Sequence, residues 1–101
     1  MAFREGRLTK EDLLLIAKYI LKFWKRVGRA LKLEEYILEE IEIDTSGEVY
    51  EQSWAMLRKW HQSRGSQATY KELGQALLDP TVDREDLAVK FCTDGTEGIK
   101  R

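Results

Sequence analysis

Apolar residues recur at steps of three and four along most of the chain, the spacing that lines them up on one face of an α-helix. Leu13, Ile16, Ala17 and Ile20 form the first such stripe, and Leu14 and Leu21 widen it. Trp24, Val27, Gly28 and Leu31 form a second. A single straight helix over residues 10–32 would be long for a compact domain, so a break is expected near Leu21-Lys22-Phe23. Residues 34–44 make a third helix, with Ile37, Leu38 and Ile41 inward and glutamates outward. A fourth stripe is Ser53, Met56, Leu57 and Trp60, a fifth Leu73, Ala76 and Leu77, and a sixth Leu87, Ala88 and Phe91. The alternation at Ile41-Glu42-Ile43 is too short to pair as a strand. This pattern predicts an all-α, six-helix antiparallel bundle forming one domain over residues 8–92, with flexible ends at 1–7 and 93–101. Its expected core is Ile16, Ile20, Trp24, Leu31, Ile41, Met56, Leu57, Trp60, Leu73 and Leu77, with the two tryptophans as the largest buried surfaces.

Helix-end chemistry sharpens the boundaries. Thr9 offers an N-cap hydroxyl ahead of Glu11 and Asp12, and Leu8 and Leu13 have the spacing of a hydrophobic staple. Arg64-Gly65 ends the fourth helix, and Thr69 with Glu72 has the T-x-x-E spacing of a capping box for the fifth. By the same logic Thr45 with Glu48 is expected to cap the fourth helix. Asp79-Pro80 closes the fifth, and Asp83 is expected to cap the sixth, with Val82 and Leu87 as its staple.

Composition then narrows the functional classes. The 101 residues carry 17 basic and 18 acidic side chains, a formal net charge of −1, which disfavours a partner recognised simply as a polyanion. The single cysteine, Cys92, makes no internal disulfide, and no Cys/His cluster has metal-binding spacing, so a reducing compartment and no metal or cofactor are expected. No apolar run approaches the roughly 20 residues that span a bilayer, and MAFREGR lacks the apolar core of a signal peptide. His61 and Cys92 have no orienting third group for nucleophilic chemistry and read as a surface histidine and a half-buried thiol; no catalytic residue is expected.

Charge is segregated by helix. Glu34, Glu35, Glu39, Glu40, Glu42 and Asp44 crowd the third helix, with Glu35, Glu39 and Glu42 on one face. Like charges four apart cost a helix a few tenths of a kcal/mol each, so a cluster this dense is either a solvated face or a docking surface. Hydrolysis or calcium binding is not indicated, because no Asp/Asn loop accompanies the acids. Lys18, Lys22, Lys25, Arg26, Arg29 and Lys32, with Arg58, Lys59 and Arg64 on the fourth helix, are the basic counterpart.

Three blocks resemble the death domain, the six-helix module of apoptotic and inflammatory signalling. IAKYILKFWKRVGRALKL is similar to its first two helices, and LEEIE resembles its third. The Met-Leu-x-x-Trp helix, followed by Gly65, Ala68-Thr69, a leucine and Ala76-Leu77, is the most specific block. Leu21 and Lys32 depart from positions where many members have Gly, and Gly28 stands where Ala is usual, at an expected cost of roughly 0.5–1 kcal/mol. The resemblance is closest to receptor- and adaptor-type members. It implies a cytoplasmic, non-enzymatic module, alone or as the intracellular part of a larger receptor or adaptor, that binds other death domains in an oligomeric complex, with no nucleic-acid or membrane contact.

The same resemblance implies three contacts, with partner surfaces on opposite sides of the bundle. Carried onto this chain, Lys18, Arg58 and Lys59 would meet Arg29, Glu39 and Glu42; Arg64 and Gln67 would meet Asp79, Asp83 and Arg84; and Glu35 would meet Lys22. Such patches set register and encounter rate more than affinity. Tyr19 and Phe23 are either core or exposed anchors. The alternative reading is a small helical nucleic-acid-binding domain facing phosphates with its basic second helix, although the fifth helix is nearly neutral for a recognition helix.

Overall fold

A computed structural model of the chain describes residues 2–93. Among these residues the elements are α1 (Lys10–Tyr19), α2 (Trp24–Ala30), α3 (Glu35–Asp44), α4 (Val49–Arg64), α5 (Tyr70–Leu78) and α6 (Glu85–Cys92). Short 3-10 turns at Leu21–Phe23 and Gly65–Gln67 join α1 to α2 and α4 to α5. The first turn is the expected break, and it lets buried Trp24 open a new helix.

Local chemistry accounts for most of the ends. Thr9 and Asp12 form a complete capping box at 3.1 Å in each direction, with Leu8 and Leu13 buried beside it. The end of α2 is a Schellman motif: Leu33 N–H bonds the Gly28 carbonyl at 3.0 Å, and Lys32 N–H bonds the Arg29 carbonyl at 2.9 Å. The residue that motif bends into the left-handed region is Lys32, at φ 72°.

Two expected caps do not form. The N-cap of α4 is Glu48, with no side-chain bond, because the Thr45 hydroxyl instead donates to the Ile41 carbonyl at 2.6 Å and closes α3. The N-cap of α6 is Arg84, also without a side-chain bond; Asp83 lies before it at φ 55°, its N–H held by the Asp79 carbonyl at 2.7 Å.

The core lies where α4 meets α1, α2 and α3, and continues between α5 and α6. Ile16, Ile20, Trp24, Leu31, Ile41, Met56, Leu57, Trp60, Leu73 and Leu77 are buried, as are Leu8, Ala68, Tyr70, Val82, Phe91 and Cys92. Tyr50 Oη donates to the Leu14 carbonyl at 3.1 Å, Ser53 Oγ to the Ala17 carbonyl at 2.9 Å, and His61 Nε2 lies 2.8 Å from the Leu8 carbonyl. Tyr50 and Ser53, in the first part of α4, thus meet α1 itself, while His61, near the far end of α4, meets the residue just ahead of it. Gly28 faces Leu38 and Met56 so closely that a Cβ there would lie 2.8 Å from Leu38 Cδ2. Its weak helix propensity is thus offset by the close approach of α2 to α3 and α4.

Residues 2–7, expected to fray, instead lie across the bundle. Phe3 packs on the core, Arg4 N–H bonds the Cys92 carbonyl at 2.8 Å, and Arg7 Nε bonds the Gly65 carbonyl at 2.7 Å. At the other end Thr93 is buried and pairs with Phe3; the rest of the expected flexible tail, 94–101, lies outside the described residues.

Candidate docking surface

The charged residues of α2 and α3 divide into those already paired and those left over. Lys25 Nζ meets Glu42 Oε1 at 2.7 Å, and Arg29 holds both carboxylate oxygens of Glu35. The Arg29 hydrogen bond holds the Glu35 carboxyl below its ordinary value, and Glu35 in turn raises Arg29. Lys22, Arg26, Glu39 and Glu40 make no ion pair among the described residues, nor does Lys32, which lies near enough to Asp79 to lower it electrostatically. Lys22, Lys25, Arg26, Arg29 and Glu42 line a groove of about 310 Å³. Arg26 and Arg29 also border a second groove, of about 460 Å³, with Lys32, Asp79 and Thr81. The exposed side of α2 is therefore a basic ridge, and two acids of α3 neutralise part of it.

At the α4–α5 corner, Arg64 grips Glu72 through Nε to Oε1 at 3.0 Å and Nη2 to Oε2 at 2.8 Å. Glu72 Oε1 also accepts the indole N–H of buried Trp60 at 3.1 Å. Only half of the expected capping box forms, with Thr69 Oγ accepting from Glu72 N–H at 3.2 Å, because the Glu72 side chain turns to Arg64 and Trp60. Arg64 most strongly, then Trp60, pull the Glu72 carboxyl below its usual range against the opposing effect of burial. A core tryptophan, a carboxylate and a surface arginine thus form one chain of contacts, and the arginine is oriented rather than free. Gln67 is exposed beside it. Glu72 is the residue the sequence reading missed: T-x-x-E had already given it a complete local role.

Arg58 and Lys59 are exposed on α4 and share a groove of about 190 Å³ with Asp44, the last residue of α3, and Thr45 just after it. The end of the acidic helix at Asp44 therefore adjoins the basic part of α4. Lys18 stands on α1 level with Ser53, about 8 Å of helix from Arg58. In the turn before α6, the Asp79 carboxylate accepts from Thr81 N–H at 2.9 Å and Thr81 Oγ at 2.7 Å, which lowers it. Arg84 pairs with Asp86 at 2.8 Å and lies 5.1 Å over the Phe23 ring. Asp83 is exposed.

The remaining candidates are placed as follows. Phe23 is half-buried against the core, whereas Tyr19 is 43% exposed, its ring edge-to-face with Phe91 at 5.2 Å between ring centres. Tyr36 and Ile43 on α3 are 62% and 75% exposed; the sequence reading did not single them out. His61 is not a free surface histidine. Arg7 Nη2 donates to its Nδ1 at 3.2 Å, which places the ring proton on Nε2 facing the Leu8 carbonyl. Cys92 is fully rather than half buried, and burial first, then Asp12, push its thiol up to about 12. No helix among the described residues is long and apolar enough to cross a membrane. A protein-family model described as the death domain matches residues 11–91. No curated protein matches the chain.

Proposed function

We propose that this chain, which belongs to the death-domain family, recruits other death domains into an oligomeric signalling complex of apoptotic or inflammatory type in the cytoplasm. Death domains are homotypic protein-interaction modules rather than enzymes. The observation that carries the finer reading is the division of charge. Glu39 on α3, Lys18 on α1, Lys22 in the turn before α2, and Arg58 and Lys59 on α4 are exposed and without ion pairs among the described residues. Arg29, Glu35, Glu42, Arg64 and Arg84 are held by partners within the chain and serve as oriented contacts, with Gln67, Asp79 and Asp83 at the edges of the corner and turn. Two different patches on one module give heterologous contacts, which close into rings or continue as helical stacks.

Light scattering across a salt series tests this. Association should weaken as salt rises, because the Debye length falls from about 10 Å at 0.1 M to 3 Å at 1 M. Glu39→Lys should lower association at least about tenfold while leaving stability within about 1 kcal/mol, as surface changes away from packed features usually do. Unchanged association in that variant would leave the acidic helix as a solvated face only.

A further inference from the structure

The segment ahead of α1 is built in two halves. Beyond Gly6 the chain is anchored: Leu8 is 2% exposed, its N–H bonds the Ala68 carbonyl at 3.2 Å, and Arg7 reaches the Gly65 carbonyl and His61. Before Gly6 the hold is lighter. Phe3 is half-buried, and Arg4 and Glu5 are exposed. Gly6 itself sits at φ +98° with open space around it, a swivel between the two halves.

The seat of the outer half is nevertheless specific. The Phe3 ring fills a notch over Gly74, where a Cβ would come within 2.3 Å of Phe3 Cε1. A mid-helix glycine is unfavourable to α5 by itself, and here its missing side chain is the space the ring occupies. Phe3 pairs antiparallel with Thr93, Arg4 N–H bonds the Cys92 carbonyl, and the Arg4 guanidinium lies 4.5 Å from the centre of the Tyr70 ring. An aromatic anchor, a backbone pairing and a cation–π contact are the parts of a peptide-binding site, with the chain's own arm as its ligand.

We propose that residues 2–5 are a hinged arm, and that their seat on α5 and the end of α6 is a binding site for the same arm of a second copy, so that neighbouring copies exchange arms. The arm's own sequence is the one the seat is seen to fit, and exchange keeps every contact while linking two copies by a closed two-fold. A short tether gives the chain's own arm an effective concentration on the order of 1 mM. In dilute solution the arm therefore stays home, and it exchanges where copies are crowded to similar concentrations. The seat shares no residue with Glu39, Arg58 or Lys59, so the proposal stands or falls apart from the charged contacts.

The test uses the full chain with Phe3→Gly and Arg4→Gly, which frees the seat, and a synthetic peptide of residues 2–7 as the probe. Amide resonances of Gly74 and Cys92 should shift saturably on titration. The wild-type chain should bind at least about tenfold more weakly, because its own arm competes. Adding Gly74→Ala to the freed chain should abolish binding, although alanine suits the helix better and the variant should fold. No saturable shift in the freed chain, or equal binding with Gly74→Ala, overturns the site. For exchange, the wild-type chain near 1 mM in 1 M salt, where charged docking is screened, should show a dimer that the freed chain lacks. A wild-type chain that is monomeric there overturns the exchange.

Discussion

Trp60 and Glu72 show how one side chain serves the interior and the surface together. The indole is fully buried, and its N–H must find an acceptor or leave an unpaired donor in the core, a loss of about 1–3 kcal/mol. Glu72 supplies that acceptor and grips Arg64 with the same carboxylate. Its folded-state acidity is stronger than in the unfolded chain, so its stabilisation is present above the unfolded value and is lost as pH falls through the depressed one. Asp12 behaves alike: burial pushes it up, but bonds from Tyr70 and Thr9, with Arg4 nearby, bring it below its ordinary value. Urea melts stepped from pH 7 to pH 3 should therefore lose stability across the acid limb, and Glu72→Gln should be less stable at pH 7 with a flatter acid limb than wild type. The tryptophan was legible from the period of its helix. Its partner was not, because local spacing explains Glu72 without any reference to Trp60, 12 positions earlier.

At the scale of elements, the helices were legible because period and breakers agreed, and the caps were less so because a threonine hydroxyl has two uses. Thr45 fits the start of α4 on paper, yet its hydroxyl reaches back to a carbonyl four residues earlier in α3. The end of α2 explains a departure from the family pattern: Lys32 stands where glycine is frequent, and its φ of 72° is the conformation glycine relieves. Lys32→Gly should raise stability by about 1 kcal/mol, seen as a higher urea midpoint at unchanged slope. The sequence of the N-terminal arm predicts fraying for a related reason. Phe3 closes a short Met-Ala-Phe run without helical periodicity, and its complement at Gly74 is a missing side chain, which leaves no hydrophobic signal to find.

For the whole molecule, the positions of the charges were legible and their pairings were not, since Lys25 and Glu42 meet only through the packing of α2 on α3. The reading that pairs Glu39 of one copy with Arg58 and Lys59 of another makes a demand that non-specific association does not. Glu39→Lys alone, and Arg58→Glu with Lys59→Glu alone, should each fail to assemble, while an equimolar mixture should assemble again because each supplies the charge the other has lost. Light scattering of the separate and mixed variants distinguishes this from a general loss of folding.

The ties between α4 and the α1 segment also have a mechanical consequence. Tyr50, Ser53 and His61 contact α1 and its lead-in at Leu14, Ala17 and Leu8, spread along a helix of 16 residues, about 24 Å. A pull along the axis of α1 loads these ties in parallel, as shear, whereas a pull across it would part them one after another. Tension entering through the chain ahead of Leu8 is thus spread over the long helix that carries Arg58 and Lys59.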